Sequence, residues 1–180
     1  MIVKIIDIDG TICNSVFPNF NNLSELLDLQ IYKELILKQS LYSNFIKYYN
    51  YIIEKYENIK FFFVTGRQKS VFLNETLKQL NSDITLKTGR DFITFINIES
   101  EYTFEDYINY KIDVISHIIK KHYFNHNKIQ CFDDISNYYD DLRKIFPNVK
   151  YTVIHLYDLI THKKNDIEDF WRKELKMELI

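Results

Sequence analysis

Short, nearly continuous apolar runs recur along this chain, separated by longer stretches whose apolar residues return every three or four positions. The run IVKII at residues 2–6 has β-branched residues on both faces and reads as a buried strand. A turn-rich segment with Pro18 and several asparagines follows. Asn22 with Glu25 three residues later predicts a capping box for a helix from Leu23 to about Leu37. A second helix follows Ser40, with Leu41, Phe45, Tyr49, Ile52, Ile53 and Tyr56 at helical spacing. IKFFFVTGR is the second strong strand and ends in Thr65, Gly66 and Arg67. The spacing of Leu73, Leu77 and Leu80 predicts a helix from about Lys69 to Leu80, and ITLKTGR at residues 84–90 is a shorter strand candidate. Thr103 and Asp106 mark the start of a helix that runs to about His122. NKIQCFDD is a strand ending in Asp133 and Asp134, and a helix carrying Tyr138, Leu142 and Ile145 leads to Pro147. VKYTVIHLY is the last strand, and the tail DIEDFWRKELKMEL is helical, with charges placed to pair four apart. Strands alternating with helices predict a single α/β domain with a mostly parallel sheet. Residues 13–60 then serve either as ordinary crossover structure or as a small cap.

Composition narrows the class without naming a chemistry. A chain of 180 residues, 46% hydrophobic and 27% charged, suits one globular domain. Tyr and Phe number 14 each, which predicts an aromatic-rich core. The net charge of −2 carries no basic nucleic-acid arm and no acidic tail, although a local basic rim would suffice for a nucleic-acid substrate. No apolar run is long enough to cross a membrane, and the first residues form an acid-bearing strand rather than a signal peptide. Cys13 and Cys131 lie far apart and read as reduced thiols of a cytoplasmic protein.

The chemistry gathers at strand ends. In a parallel sheet, ligands sit outside the carboxyl ends of the strands. The first strand delivers Asp7, Asp9, Gly10 and Thr11 there, the second Thr65, Gly66 and Arg67, and a later one Asp133 and Asp134. Four carboxylates around one crevice repel unless a cation joins them, and oxygen ligands without His or Cys suit Mg²⁺. Gly10 and Thr11 can bring backbone N–H groups close to an anion, so the expected site holds Mg²⁺ and a phosphate. On the helix beginning near Thr103, Phe104, Tyr107, Ile108, Val114, Ile115, Ile118 and Ile119 share an apolar face with Lys111 near its middle. An ammonium there is costly without a negative partner, and the acids would supply one; a lysine snorkelling to solvent is the plainer alternative.

Several of these signals are weak alone. TGR after a strand reads as a simple strand-to-helix turn, and Asp133 and Asp134 read as helix-capping acids. Asp140 and Asp141 read as solvated helix acids, and the histidines as structural or surface groups. Lys87 and Arg90 read as surface charges slightly ahead of substrate-side cations.

In order and spacing, DIDGT, VTG, Lys111 and FDD resemble the four motifs of the haloacid dehalogenase superfamily of phosphohydrolases, across Asp7 to Asp134. Within it the chain is similar to small members with little or no cap, the polynucleotide 3′-phosphatase and Swiss Army Knife RNA-repair-like group. One departure is Ile135, where those relatives often carry arginine. The resemblance implies a Rossmann-like three-layer fold and a Mg²⁺-dependent phosphomonoesterase, acting on nucleic-acid 3′-phosphate ends or on small nucleotides or sugar phosphates. A catalytically silent phosphate-binding module is the alternative of another class. The resemblance also implies roles. Asp7 attacks phosphorus, Asp9 moves protons, and Thr65, Gly10 and Thr11, with Gly66 and Arg67 beside them, hold the substrate. Lys111 neutralises charge, and Asp7, Asp9 (through its carbonyl), Asp133 and Asp134 hold the metal.

Overall fold

A computed structural model describes residues 1–14, 29–97, 103–123, 128–135, 137–154 and 164–179. Its elements run β1 Ile2–Ile6, α1 Leu29–Lys38, α2 Ser43–Lys55, β2 Ile59–Gln68, α3 Lys69–Asp83, β3 Asp91–Ile96, α4 Phe104–Tyr123, β4 Lys128–Asp133, α5 Tyr139–Ile145, β5 Lys150–Val153 and α6 Lys164–Leu179. The five strands pair in parallel in the order β3-β2-β1-β4-β5. The protein is therefore an α/β sandwich of the Rossmann-like, three-layer kind.

Side-chain alternation along the strands divides the core in two. Ile6, Phe61, Phe63 and Phe132 face one way and pack with Phe45, Tyr48, Tyr49 and Ile52 of α2, Leu80 of α3, and Ile167 and Trp171 of α6. Val3, Ile5, Phe62, Val64, Ile129 and Cys131 face the other way, onto Ile115, Ile118 and Ile119 of α4 and Tyr139 and Leu142 of α5. The aromatic-rich core is centred on Trp171, whose ring lies 4.9 Å from Phe45 and 5.3 Å from Phe132, centroid to centroid. α2 is thus a layer of the sandwich rather than a cap.

The chain builds outward from β1 through β2 to β3, then α4 crosses back on the opposite face to start β4. The direction of winding reverses between β1 and β4, and at such a switch point the loops diverge and leave a crevice. Ile6 pairs with Phe63 on one side and Phe132 on the other, so Asp7, one residue on, sits at that crevice.

The predicted strand ITLKTGR is corrected by the structure. Residues 84–90 form the return loop after α3, with Gly89 at φ +83° and the Arg90 and Asp91 N–H groups both bonded to the Lys87 carbonyl. The strand is the next run, DFITFI, which enters the sheet opposite Phe61. Lys87 and Arg90 therefore lie at the amino edge of the sheet, away from the crevice, and Arg90 bonds Asp91 and the Thr85 carbonyl. The predicted start of the first helix, with Asn22 and Glu25, and residues 155–157 of the last predicted strand lie outside the described residues. Among the described residues no helix is long and apolar enough to cross a membrane.

Candidate active site

The site begins with one buried cation. Lys111 is fully buried on α4, and its ammonium donates to Asp7 Oδ1, to Asp133 Oδ2 at 3.0 Å and to the Val64 carbonyl at 2.8 Å. Those three acceptors come from the ends of β1, β4 and β2, so one side chain ties the carboxyl edge together. α4 is seated there by its sequence. Thr103 and Asp106 form a reciprocal cap, with the Asp106 N–H on Thr103 Oγ1 at 3.1 Å and the Thr103 N–H on Asp106 Oδ2 at 2.8 Å. One turn on, the Tyr110 hydroxyl bridges the carbonyls of Thr65 (3.1 Å) and Thr94 (3.0 Å). Burial disfavours the Lys111 charge, but Asp133 and Asp7 outweigh it and hold the ammonium above its ordinary range.

The acids differ in what surrounds them. Burial is the main cause that pushes the Asp7 carboxyl up to about 7; Lys111 opposes the shift, and Asp133 and Asp9 add to it. The Thr11 hydroxyl reaches Asp7 Oδ2 at 3.3 Å. Asp133 is the most heavily bonded of the acids: Oδ1 accepts the Ile135 N–H at 2.8 Å, while Oδ2 accepts Lys111 and the hydroxyl of the fully buried Tyr138. Asp134 is raised well above the usual carboxylate range by burial, then by the charges of Asp133 and Asp7. Carboxylate oxygens of Asp7, Asp133 and Asp134 lie within 4.8 Å of one another. An all-oxygen set this tight, with two carboxyls held above their ordinary range, fits a hard divalent cation such as Mg²⁺.

Asp9 points another way. Its carboxylate receives Arg67 through two bonds, Nε to Oδ2 at 2.9 Å and Nη2 to Oδ1 at 2.8 Å. The guanidinium is buried, and its Nη1 donates to Thr76 Oγ1 (3.0 Å) and Gln79 Oε1 (2.8 Å) of α3. A register shift between Thr65 and Gln68 lets the chain bulge at Gly66 and Arg67, and such bulges re-aim side chains. Arg67 accordingly meets Asp9 and α3 instead of presenting its donors to an incoming anion. Thr65 is buried, with its hydroxyl oxygen accepting the Arg67 N–H at 3.2 Å.

Residues 8–13 form a tight turn. The Gly10 N–H donates to the Cys13 carbonyl at 2.9 Å and the Thr11 N–H to the Ile8 carbonyl at 3.3 Å, so both groups serve the turn itself. Trp171 Nε1 holds the turn from below through the Thr11 carbonyl at 2.8 Å. Gly10 has φ +78°, and a Cβ there would drive into the Asp134 carboxylate.

The crevice thus brings together Asp7, Asp9, Thr65, Lys111, Asp133 and Asp134. Tyr138, Thr76, Gln79 and Trp171 support these groups and were not singled out in the sequence. Thr76 and Gln79 did leave a trace, a polar pair three apart between Phe72 and Leu80 on the buried face of α3. Tyr138 left none, because a tyrosine at helical spacing with Leu142 and Ile145 reads as core; the structure places it just before α5. No family model, no curated protein and no solved structure matches this chain.

Proposed function

We propose that the chain is a Mg²⁺-dependent phosphomonoesterase of the haloacid dehalogenase type. The observation that carries this reading is Lys111, buried without solvent and bonded to Asp7 and Asp133 at the switch point, with Asp134 alongside. A structural ion pair needs one carboxylate per cation; here Lys111 bonds two, with Asp134 beside them, and that excess of acid oxygens is what a divalent cation would neutralise before a phosphate could approach.

In this reading the Asp7 carboxylate attacks phosphorus in line, forming an aspartyl-phosphate as the bond to the leaving oxygen breaks. Asp9 gives its proton to that oxygen. Asp9 then accepts a proton from the water that attacks the aspartyl-phosphate, which releases phosphate and restores Asp7. Each Asp9 oxygen accepts one bond from Arg67 and keeps a lone pair for this transfer. Lys111 offsets charge on Asp7 and on the phosphoryl oxygens. Asp7, Asp134 and the Asp9 carbonyl would hold Mg²⁺, which when bound supplies charge neutralisation at those oxygens. Asp133 supports the reading as the anchor of Lys111, since three of its acceptor positions are already taken by Lys111, Ile135 and Tyr138.

The test is phosphate release from a panel of monoesters with Mg²⁺. The wild type releases phosphate from at least one class, and Asp7→Asn lowers the rate by at least about a thousandfold, the scale for losing a covalent nucleophile. Wild-type protein that binds phosphorylated ligands yet hydrolyses none would favour the silent binding module.

A further inference from the structure

We infer that β3 is an interface strand whose partner is a second copy of this chain, paired antiparallel across a two-fold axis near Ile93. β3 ends the sheet, and among the described residues no strand lies on its outer side. The Phe61 N–H donates to the Arg90 carbonyl. In a regular parallel strand the N–H and C=O of one residue point to one side, and those of the next residue to the other. Arg90, Phe92 and Thr94 therefore face β2, while Ile93 and Phe95 turn their N–H and C=O groups outward, where no described residue bonds them. Edges of this kind are usually guarded by a charge, a proline or a covering element. DFITFI holds one charge, Asp91, and that carboxylate is already taken by Arg90, the Tyr49 hydroxyl and the Lys87 N–H.

Open grooves flank this edge on both faces of the sheet. A groove of about 450 Å³ runs between β3 and α3, lined by Ile93 and Phe95 with the half-buried Leu73 and Leu77. A second, of about 650 Å³, lies between β3 and α4, where Phe92 and Thr94 meet Asp113, His117 and Lys121. A two-fold interface sets one patch against its own reversal. α3 and α4 both run antiparallel to β3, so an axis that reverses β3 reverses them too. Ile93 of the two copies then exchange N–H···O bonds, and Leu73 of one copy faces Leu77 of the other. On α4 the exposed Asp113, His117 and Lys121 stand four apart on one stripe. Reversal brings Asp113 of each copy toward Lys121 of the other, and among the described residues neither has an ion-pair partner in its own chain. A strand of another protein could meet the same backbone edge, but the reversed order of charge and the paired leucines fit a second copy.

Sedimentation of the full chain over a concentration series tests this, against a chain mass of 21.9 kDa. The wild type sediments at twice that mass, and the Ile93 and Phe95 amides exchange with solvent more slowly as the dimer forms. Asp113→Lys or Lys121→Asp alone weakens the dimer about ten-fold by setting like charges together, and the double variant returns it to within about three-fold of wild type. The two positions are about 12 Å apart along α4 and do not meet within one chain, so the rescue reads a contact between copies. Ile93→Pro removes an outward N–H, leaves the ladder to β2 intact and abolishes the dimer, with circular dichroism as the check on folding. A wild type that stays monomeric to about 1 mM overturns the inference. So does a dimer that is indifferent to the charge exchange, or strand pairing at β3 only with a different protein.

Discussion

Tyr138 decides what Asp133 can do. A carboxylate offers about four acceptor positions, and in Asp133 three are taken by Ile135, Lys111 and Tyr138. The carboxylate is thereby turned into a fixed counter-charge for Lys111, and Asp134 is left to face Gly10 and the crevice. Tyr138→Phe removes one of these bonds without removing the ring. Its expected effect is a fall in kcat of about ten-fold with KM nearly unchanged, the scale of one hydrogen bond to a charged group. A KM rise with kcat intact would show that Tyr138 acts on substrate binding instead. Gly10→Ala is harsher, since a side chain at φ +78° also meets Asp134; activity is expected to vanish while circular dichroism still reports a folded α/β protein. Retention of wild-type activity in Gly10→Ala would contradict the close approach of Gly10 to Asp134.

At the scale of elements, what sequence could carry was periodicity and termini. Asp7, Asp9 and Lys111 were legible because a strand end and a helix face each have a fixed period. Arg67 was not, because its direction depends on the bulge between Thr65 and Gln68, a long-range consequence of pairing with β3. β3 itself was misplaced by one run. ITLK has strand-like residues, but a helix ending at Asp83 needs a return loop to reach the amino edge, and residues 84–90 supply it. The turn at residues 8–13 also depends on a distant element, since Trp171 of α6 bonds the Thr11 carbonyl. Trp171→Phe is expected to cost about 1 kcal/mol by losing that bond. Trp171→Ala is expected to cost about 3–5 kcal/mol, because it also opens a cavity among Phe45, Tyr48 and Phe132. Denaturant titration measures both, and equal losses would argue that the indole N–H and the ring volume are not separable.

At the scale of the molecule, the fold places charges where the folded state resists them. Asp7 has its carboxyl raised from 3.8 to about 7, and Asp134 is raised as well. A raised carboxyl binds more protons in the folded than in the unfolded state between its two pKa values. Metal-free stability is therefore highest below about pH 4 as far as these groups are concerned, and is lost as pH rises toward 7. A cation that binds the deprotonated carboxylates acts in the opposite sense. Melting curves with EDTA are expected to fall between pH 5 and pH 8, with Mg²⁺ giving a larger upward shift at pH 8. An equal Mg²⁺ shift at both pH values would place the ion away from these acids.

The central claim is that Asp7, Asp9 and Lys111 form a phosphoryl-transfer centre and not merely a buried ion-pair network. The most direct measurement is a single-turnover reaction of the protein with Mg²⁺ and a phosphorylated substrate, quenched in acid and analysed for phosphate bonded to the chain. The account predicts a transient phosphoprotein, with the label on Asp7, in the wild type and none in Asp7→Asn. Phosphate release at an undiminished rate in Asp7→Asn, or a label on any other residue, would contradict it.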